Sequence, residues 1–267
     1  MSPATLWVEG IGLWAPRLPG WEAGARILRG EEAAPASPAP RPAPQLLAPT
    51  ERRRAPDTVA IALEVAAQAC AHATRDPKTL PSVFASTYGD LAVADSICET
   101  IARSPELTSP TKFHNSVHNA AAGYWAIATG CQEAYSAVAA QQFTFAEGLL
   151  SAAAQALADL RPMLLVAYDI EGRGPLGTLS RSKGAFACAL VLAPERTARA
   201  RSRLAIGIVE SEGAQEATVH EANAALIAGN AMSCALPLFE ALARGAPRRI
   251  VQRLSGQLAL SLELTRS

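Results

Sequence analysis

Between residues 134 and 168 the chain runs through a strand, a helix and a second strand that are apolar almost throughout, and only a layered fold can bury all three. Ala134-Tyr135-Ser136-Ala137-Val138-Ala139-Ala140 reads as a short buried strand, Gln141-Gln142 as a junction, and residues 143–158 as a helix of mostly small apolar side chains. Residues 162–168 supply the next strand. A helix without a solvent face, followed by a strand without alternation, points to a βαβ unit held between layers. With 267 residues the chain is long enough to build the core around it.

The junction also carries the chemical question. A side chain placed between a strand and a helix sits over the helix N-terminus, where unpaired N–H groups and the macrodipole stabilise an anion. A cysteine there would be an activated nucleophile. Gln141 cannot ionise, so the setting suits acyl transfer while the residue does not. The plainer reading of Gln141 is a polar cap for the helix.

The rest of the pattern extends the same architecture. A first strand over residues 6–12 enters a glycine turn closed by Pro16 and Pro19, and residues 21–28 form a short helix stopped near Gly30. Residues 33–49, rich in Pro and Ala, read as an extended surface loop. Asp57 is the expected N-cap of a helix over 58–73. A strand over 82–86, a helix over 90–103 and a helix over 116–129 stopped by Gly130 follow. Residues 184–192 and 204–210 are strands, 222–243 is a helical stretch that Pro237 kinks or restarts, and 250–254 with 257–264 form a closing hairpin at Ser255-Gly256. The expectation is one α/β domain over 1–267, a mixed sheet with helices on both faces.

Several functions are disfavoured. Lys+Arg and Asp+Glu both number 24 and only 5% of residues are aromatic, so there is no nucleic-acid footprint. Arg52-Arg53-Arg54 and the looser group Arg244, Arg248, Arg249 and Arg253 read as solvated charge, with docking of an acidic carrier protein as the sharper alternative for the first. No window reaches the ~18 apolar residues of a membrane span, and no signal peptide is evident. Five scattered cysteines without a C-x-x-C point to a reducing cytoplasm, not to disulfides or zinc. His114 and His118 are four apart but have no third ligand, and His220 stands alone, so no metal is expected. Gly10-x-Gly12-x-x-Ala15 and Gly172-x-Gly174-x-x-Gly177 both follow strands, yet prolines intrude and neither opens a helix. Both are read as turns.

Taken in order, these pieces resemble a family. Ser109-Pro110-Thr111-Lys112-Phe113-His114-Asn115-Ser116-Val117-His118-Asn119 and the following Ala120-Ala121-Ala122-Gly123-Tyr124-Trp125 resemble the approach helix of β-ketoacyl synthases, and more narrowly of the short ketosynthase-like proteins of bacterial aryl polyene pathways. Val8-Glu9-Gly10-Ile11-Gly12 is similar to the opening strand, Ser86-Thr87-Tyr88-Gly89-Asp90 to the turn after the second main strand, and residues 184–192 to the strand closing the first thiolase-like half. The resemblance is best over 5–210, with 211–267 a remnant of the C-terminal half. It implies a thiolase-like layered fold with a truncated second half.

It also implies what is missing. Ketosynthases attack a thioester with cysteine and use two histidines in decarboxylation and oxyanion stabilisation. Gln141 falls at the cysteine position, Asn230 in Gly229-Asn230-Ala231-Met232-Ser233-Cys234-Ala235 falls at a histidine position, and the other histidine segment has no match. The pattern resembles a chain length factor, the inactive partner of an active β-ketoacyl synthase in polyketide-type fatty acid biosynthesis. That implies a heterodimer, an acyl carrier protein as a further partner, no cofactor, and no catalytic residue of its own. Interface or acyl-tunnel candidates are His118, Tyr124, Trp125, Gln141, Phe143 and Phe145. Two alternatives stand beside it: a condensing or acyl-transfer enzyme with an atypical nucleophile such as Cys131, and a stand-alone homodimer that binds acyl chains.

Overall fold

A computed structural model describes residues 3–212 and 218–267. Eight strands form one mixed sheet: β1 (Ala4–Trp14), β2 (Ser82–Ala85), β3 (Tyr135–Val138), β4 (Met163–Ile170), β5 (Ala185–Ala193), β6 (Ser202–Glu210), β7 (Arg248–Arg253) and β8 (Leu258–Arg266), in the order β3-β2-β4-β5-β1-β6-β8-β7. The helices between them are α1 (Trp21–Arg29), α2 (Pro49–Arg54), α3 (Asp57–Ala73), α4 (Leu91–Arg103), α5 (Pro110–Ser116) and α6 (Ala120–Thr129). Beyond these lie α7 (Thr144–Ala158), α8 (Gly174–Gly177), α9 (Glu221–Ala224) and α10 (Leu236–Arg244).

Strand residues are apolar on both faces because both faces are covered. Val83, Leu165, Cys188, Leu190 and Leu13 pack with α1, α7 and α10, while Phe84, Leu164, Val166, Ala189 and Val191 pack with α3 and α6. The βαβ unit is present. β3 and β4 flank β2, both parallel to it, and α7 crosses over that face so closely that a Cβ on Gly148 would stand 2.7 Å from the Ala85 methyl.

The first glycine pattern is not a turn. Gly10 and Gly12 lie inside β1, where α3 presses its backbone onto the strand. A Cβ on either would stand 2.0 Å from a helix carbonyl oxygen, that of Ala69 or Val65. The register shifts between Val8 and Gly10, and at that irregularity Glu9 is fully buried against Arg75, with bonds of 2.7 and 2.9 Å. The second glycine pattern does contain a single helical turn, α8, but an aspartate already occupies its start. Asp95 Oδ1 accepts from the Leu176 N–H, and its other oxygen stands 2.0 Å from where a Gly174 Cβ would be. A phosphate has no room there.

Other expectations shift for local reasons. The helix over 58–73 starts one residue earlier, with Pro56 as its cap residue and the Asp57 carboxylate turned to Arg41. The helix expected over 116–129 starts four residues later, behind a separate short helix that the sequence reading did not expect. Ser109 and Pro110 start α5, Val117 turns extended, and α6 begins only at Ala120. The helical stretch at 222–243 breaks at Gly229, whose φ is 76°, and Pro237 sits in the first turn of α10, where its missing N–H costs nothing. β3 is the sheet edge instead of a buried strand, with Tyr135 and Ala137 exposed. After β6 the described residues form short helices, α10 and the β7–β8 hairpin; residues 213–217 of the connection lie outside the described residues.

Candidate functional site

β3 runs into α7 through a sharp elbow. Gln141 has φ 51°, a left-handed conformation that costs a non-glycine residue on the order of 1–3 kcal/mol and persists only when its surroundings hold it. Thr144 does much of the holding. Its hydroxyl accepts from the Ala140 N–H at 2.9 Å and donates to the Gln141 carbonyl at 2.7 Å, and Thr87 Oγ1 donates to the same carbonyl at 3.3 Å. A strand-to-helix elbow with a strained residue at its tip is the geometry that lifts a nucleophile to the surface. Here the tip is an exposed amide that makes no hydrogen bond of its own among the described residues, so Gln141 is not the expected helix cap.

Beneath the elbow lies a buried polar network centred on Asp169, the one charged residue in the otherwise apolar β4. Its carboxylate is fully buried and accepts from Ser86 Oγ at 2.9 Å, the Thr87 N–H at 2.8 Å and the Tyr88 N–H at 3.4 Å. Burial pushes its pKa up, against the pull of those donors, so the net shift is upward. His118 is half-buried, with Nε2 at 2.7 Å from the Ser86 carbonyl, which makes that nitrogen the donor. Asn230 joins from the other side. Its Nδ2 donates to the carbonyls of Asp169 (3.1 Å) and Lys183 (3.0 Å), and its Oδ1 accepts from the Met232 N–H. At 3% exposure Asn230 is fully engaged in tying backbone segments together. Sequence reading found Asn230 and His118 but not Asp169; the available signal was a carboxylate in an unbroken apolar strand.

The remaining candidates separate. Phe143 is half-buried at the elbow. Tyr124 is half-buried too, its hydroxyl donating to Asn115 Oδ1 at 3.0 Å and its ring 6.0 Å from that of His114. Trp125 and Phe145, each 1% exposed, are core residues on opposite faces of the sheet, so neither lies where a partner could touch it. Cys131 is buried with its thiol 3.6 Å from the Leu80 carbonyl, away from any elbow. His114 sits on α5 and His118 beyond its end, so the two do not share a helix face, and no metal-binding cluster occurs among the described residues. Arg244 and Arg248 are not free charges, because both bond the buried Glu240. Among the described residues no helix is long and apolar enough to cross a membrane.

Residues 22–249 match the family of the β-ketoacyl synthase N-terminal domain. The chain belongs to that family. No curated protein matches it in sequence. Among solved structures, a chain of the Xenorhabdus doucetiae ketosynthase ApeO in complex with its chain length factor ApeC superimposes with a TM-score of 0.73 at 20% identity, over 97% of this chain and 99% of that one. The ishigamide ketosynthase/chain length factor gives 0.71 at 14% identity, over 98% and 99%. AntDE:AntF, a type II PKS acyl-carrier protein in complex with its ketosynthase, gives 0.74 at 12% identity, over the whole of both chains. The layered, mixed-sheet architecture is therefore the thiolase-like ketosynthase fold.

Proposed function

We propose that this chain is a non-catalytic ketosynthase-like subunit, a chain length factor, that pairs with an active β-ketoacyl synthase in aryl polyene or other polyketide-type fatty acid biosynthesis. The observation that carries the reading is Gln141. The elbow that would present a nucleophile is built and latched, and its tip carries an amide with neither a proton to lose nor an attacking lone pair of useful basicity. Asn230, at the position of a catalytic histidine, spends its side chain on backbone groups.

A pairing surface is available beside the elbow. Among the described residues the β3 backbone pairs as a strand only with β2, so its outer edge offers unpaired backbone groups. Asn119 Nδ2 bonds the Tyr135 hydroxyl on that strand, and Phe113, Val117 and Ile127 on the same α5–α6 segment are exposed apolar residues. The active subunit would cover this edge and receive the acyl carrier protein.

Co-expression with an active ketosynthase, followed by solution mass and a condensation assay, tests the reading. The expected result is a 1:1 assembly whose condensing activity requires this chain and survives Gln141→Ala. Elongation of an acyl thioester by the chain alone would overturn it.

A further inference from the structure

β6 pairs with β1 only from Ala4 to Val8, so beyond Val8 that edge of β1 has no strand beside it. Side chains of α3 take its backbone donors instead: the Ile11 N–H donates to His72 Nδ1 at 3.1 Å and the Leu13 N–H to Gln68 Oε1 at 3.2 Å. Beside them, against the start of α1, opens a cleft of about 650 Å³, within the size range of small-molecule sites. Ile11, Trp21 and Ala71 supply apolar wall, and the Trp21 ring lies 6.4 Å from that of His72. Because His72 Nδ1 accepts, its proton sits on Nε2, and that N–H is accessible and unpartnered among the described residues. Arg201 also lines the cleft. Its guanidinium donates to the carbonyls of Glu9 (3.1 Å) and His72 (2.9 Å) and meets no carboxylate among the described residues. On α1, Arg26 is already paired with Glu32 at 2.7 Å, and Glu22 is an exposed carboxylate. Burial and then Arg201 lower the His72 pKa against the weaker opposing pull of Glu22, so of these two charges the cation dominates at the ring.

We propose that this cleft binds a monocarboxylate with a flat apolar body, its carboxylate shared by Arg201 and the His72 Nε2–H and its body lying against Trp21. A cation without a carboxylate, next to an unpartnered N–H, offers the two kinds of donor that a carboxylate takes. The cleft has about four times the ~150 Å³ that accommodates benzene, so a two-ring body fits. Glu22 would repel a second negative charge, so the ligand carries one. β5, β4 and β2 stand between β1 and the elbow strand β3, and the site does not depend on the subunit's pairing or on condensation.

The test compares 2-naphthoate with 2-naphthamide, its uncharged counterpart of nearly the same shape, by calorimetric titration of the full chain. The naphthoate is expected to bind at least about fivefold more tightly, because only it offers Arg201 and His72 a charged acceptor. Arg201→Gln should bring the two affinities within about twofold of each other. Glu22→Gln, at an exposed side chain, should tighten naphthoate binding about twofold and leave naphthamide unchanged, since it removes a repelling charge. Equal affinity for the two probes in the unmodified protein, or binding of neither, would overturn the proposal even if a variant fails to fold. So would a preference that persists in Arg201→Gln, or a naphthoate affinity that falls in Glu22→Gln. The titration needs no partner subunit, so its failure leaves the pairing reading untouched.

Discussion

Asp169→Asn tests whether the elbow rests on a buried charge. The carboxylate takes three donors, Ser86 Oγ, Thr87 N–H and Tyr88 N–H, with no exposure to water. An asparagine can present an oxygen to only one side. With the oxygen toward Ser86 and Tyr88, its NH₂ abuts the Thr87 N–H; reversed, it faces the Tyr88 N–H and must rely on Ser86 turning round to accept. Either way one buried backbone donor loses its partner, at about 1–3 kcal/mol, and the surviving bonds lose their charge assistance. The expected loss is about 2–4 kcal/mol. At roughly 2–4 °C per kcal/mol for a chain of this size, the Tm should fall by about 5–15 °C. Hydrogen exchange adds a local readout: the Thr87 and Tyr88 amides should lose protection before those of β2. A Tm within about 1 °C of wild type, with both amides still protected, would refute the idea that Asp169 holds this turn.

Two further outcomes follow from packing and charge. Gly12→Ala would place a methyl 2.0 Å from the Val65 carbonyl, so α3 or β1 must move by more than 1 Å; it should cost at least about 3 kcal/mol in urea unfolding, whereas Gly123→Ala, on an α6 position with nothing within 4 Å, should stabilise by about 0.5–1 kcal/mol. Burial alone would raise the pKa of Glu240, but bonds from Asn223, Arg248 and Arg244 bring it below the ordinary value. Its contribution is thus present above the unfolded carboxyl pKa and lost as pH falls through the folded one, so Glu240→Gln should lower the Tm at pH 7 and flatten its decline below about pH 4.5.

Where one residue's neighbours in sequence decide its conformation, the chain was readable. Gly30, in the left-handed region, ends α1, and Ser255-Gly256 turns the last hairpin, both as composition suggests. Gly10 and Gly12 were misread because their meaning lies in α3, more than fifty residues away, and no local signal distinguishes a turn glycine from one that admits a helix backbone. The apolar character of Trp125, Phe145 and Tyr135 was equally plain, but hydrophobicity alone does not say whether a side chain fills the core or lies at a sheet edge. At the site, Gln141 was legible because a strand-to-helix junction is a local pattern. The Asp169 network was not, since it joins residues from five separate segments.

The place of β1 in the sheet has a consequence in time. It is made before the other seven strands of this sheet, yet its neighbours are β5 and β6, with Trp7 facing Ala193 and Ala4 facing Ile206. At about 5–20 residues per second, the ribosome needs on the order of 10–40 s to deliver those partners. Until then an apolar strand with two glycines has nothing to pair with, and the central seam of the sheet closes only after most of the chain has been made. Nascent chains stalled before Ala185 should therefore carry an unpaired β1, a segment for chaperones to shield.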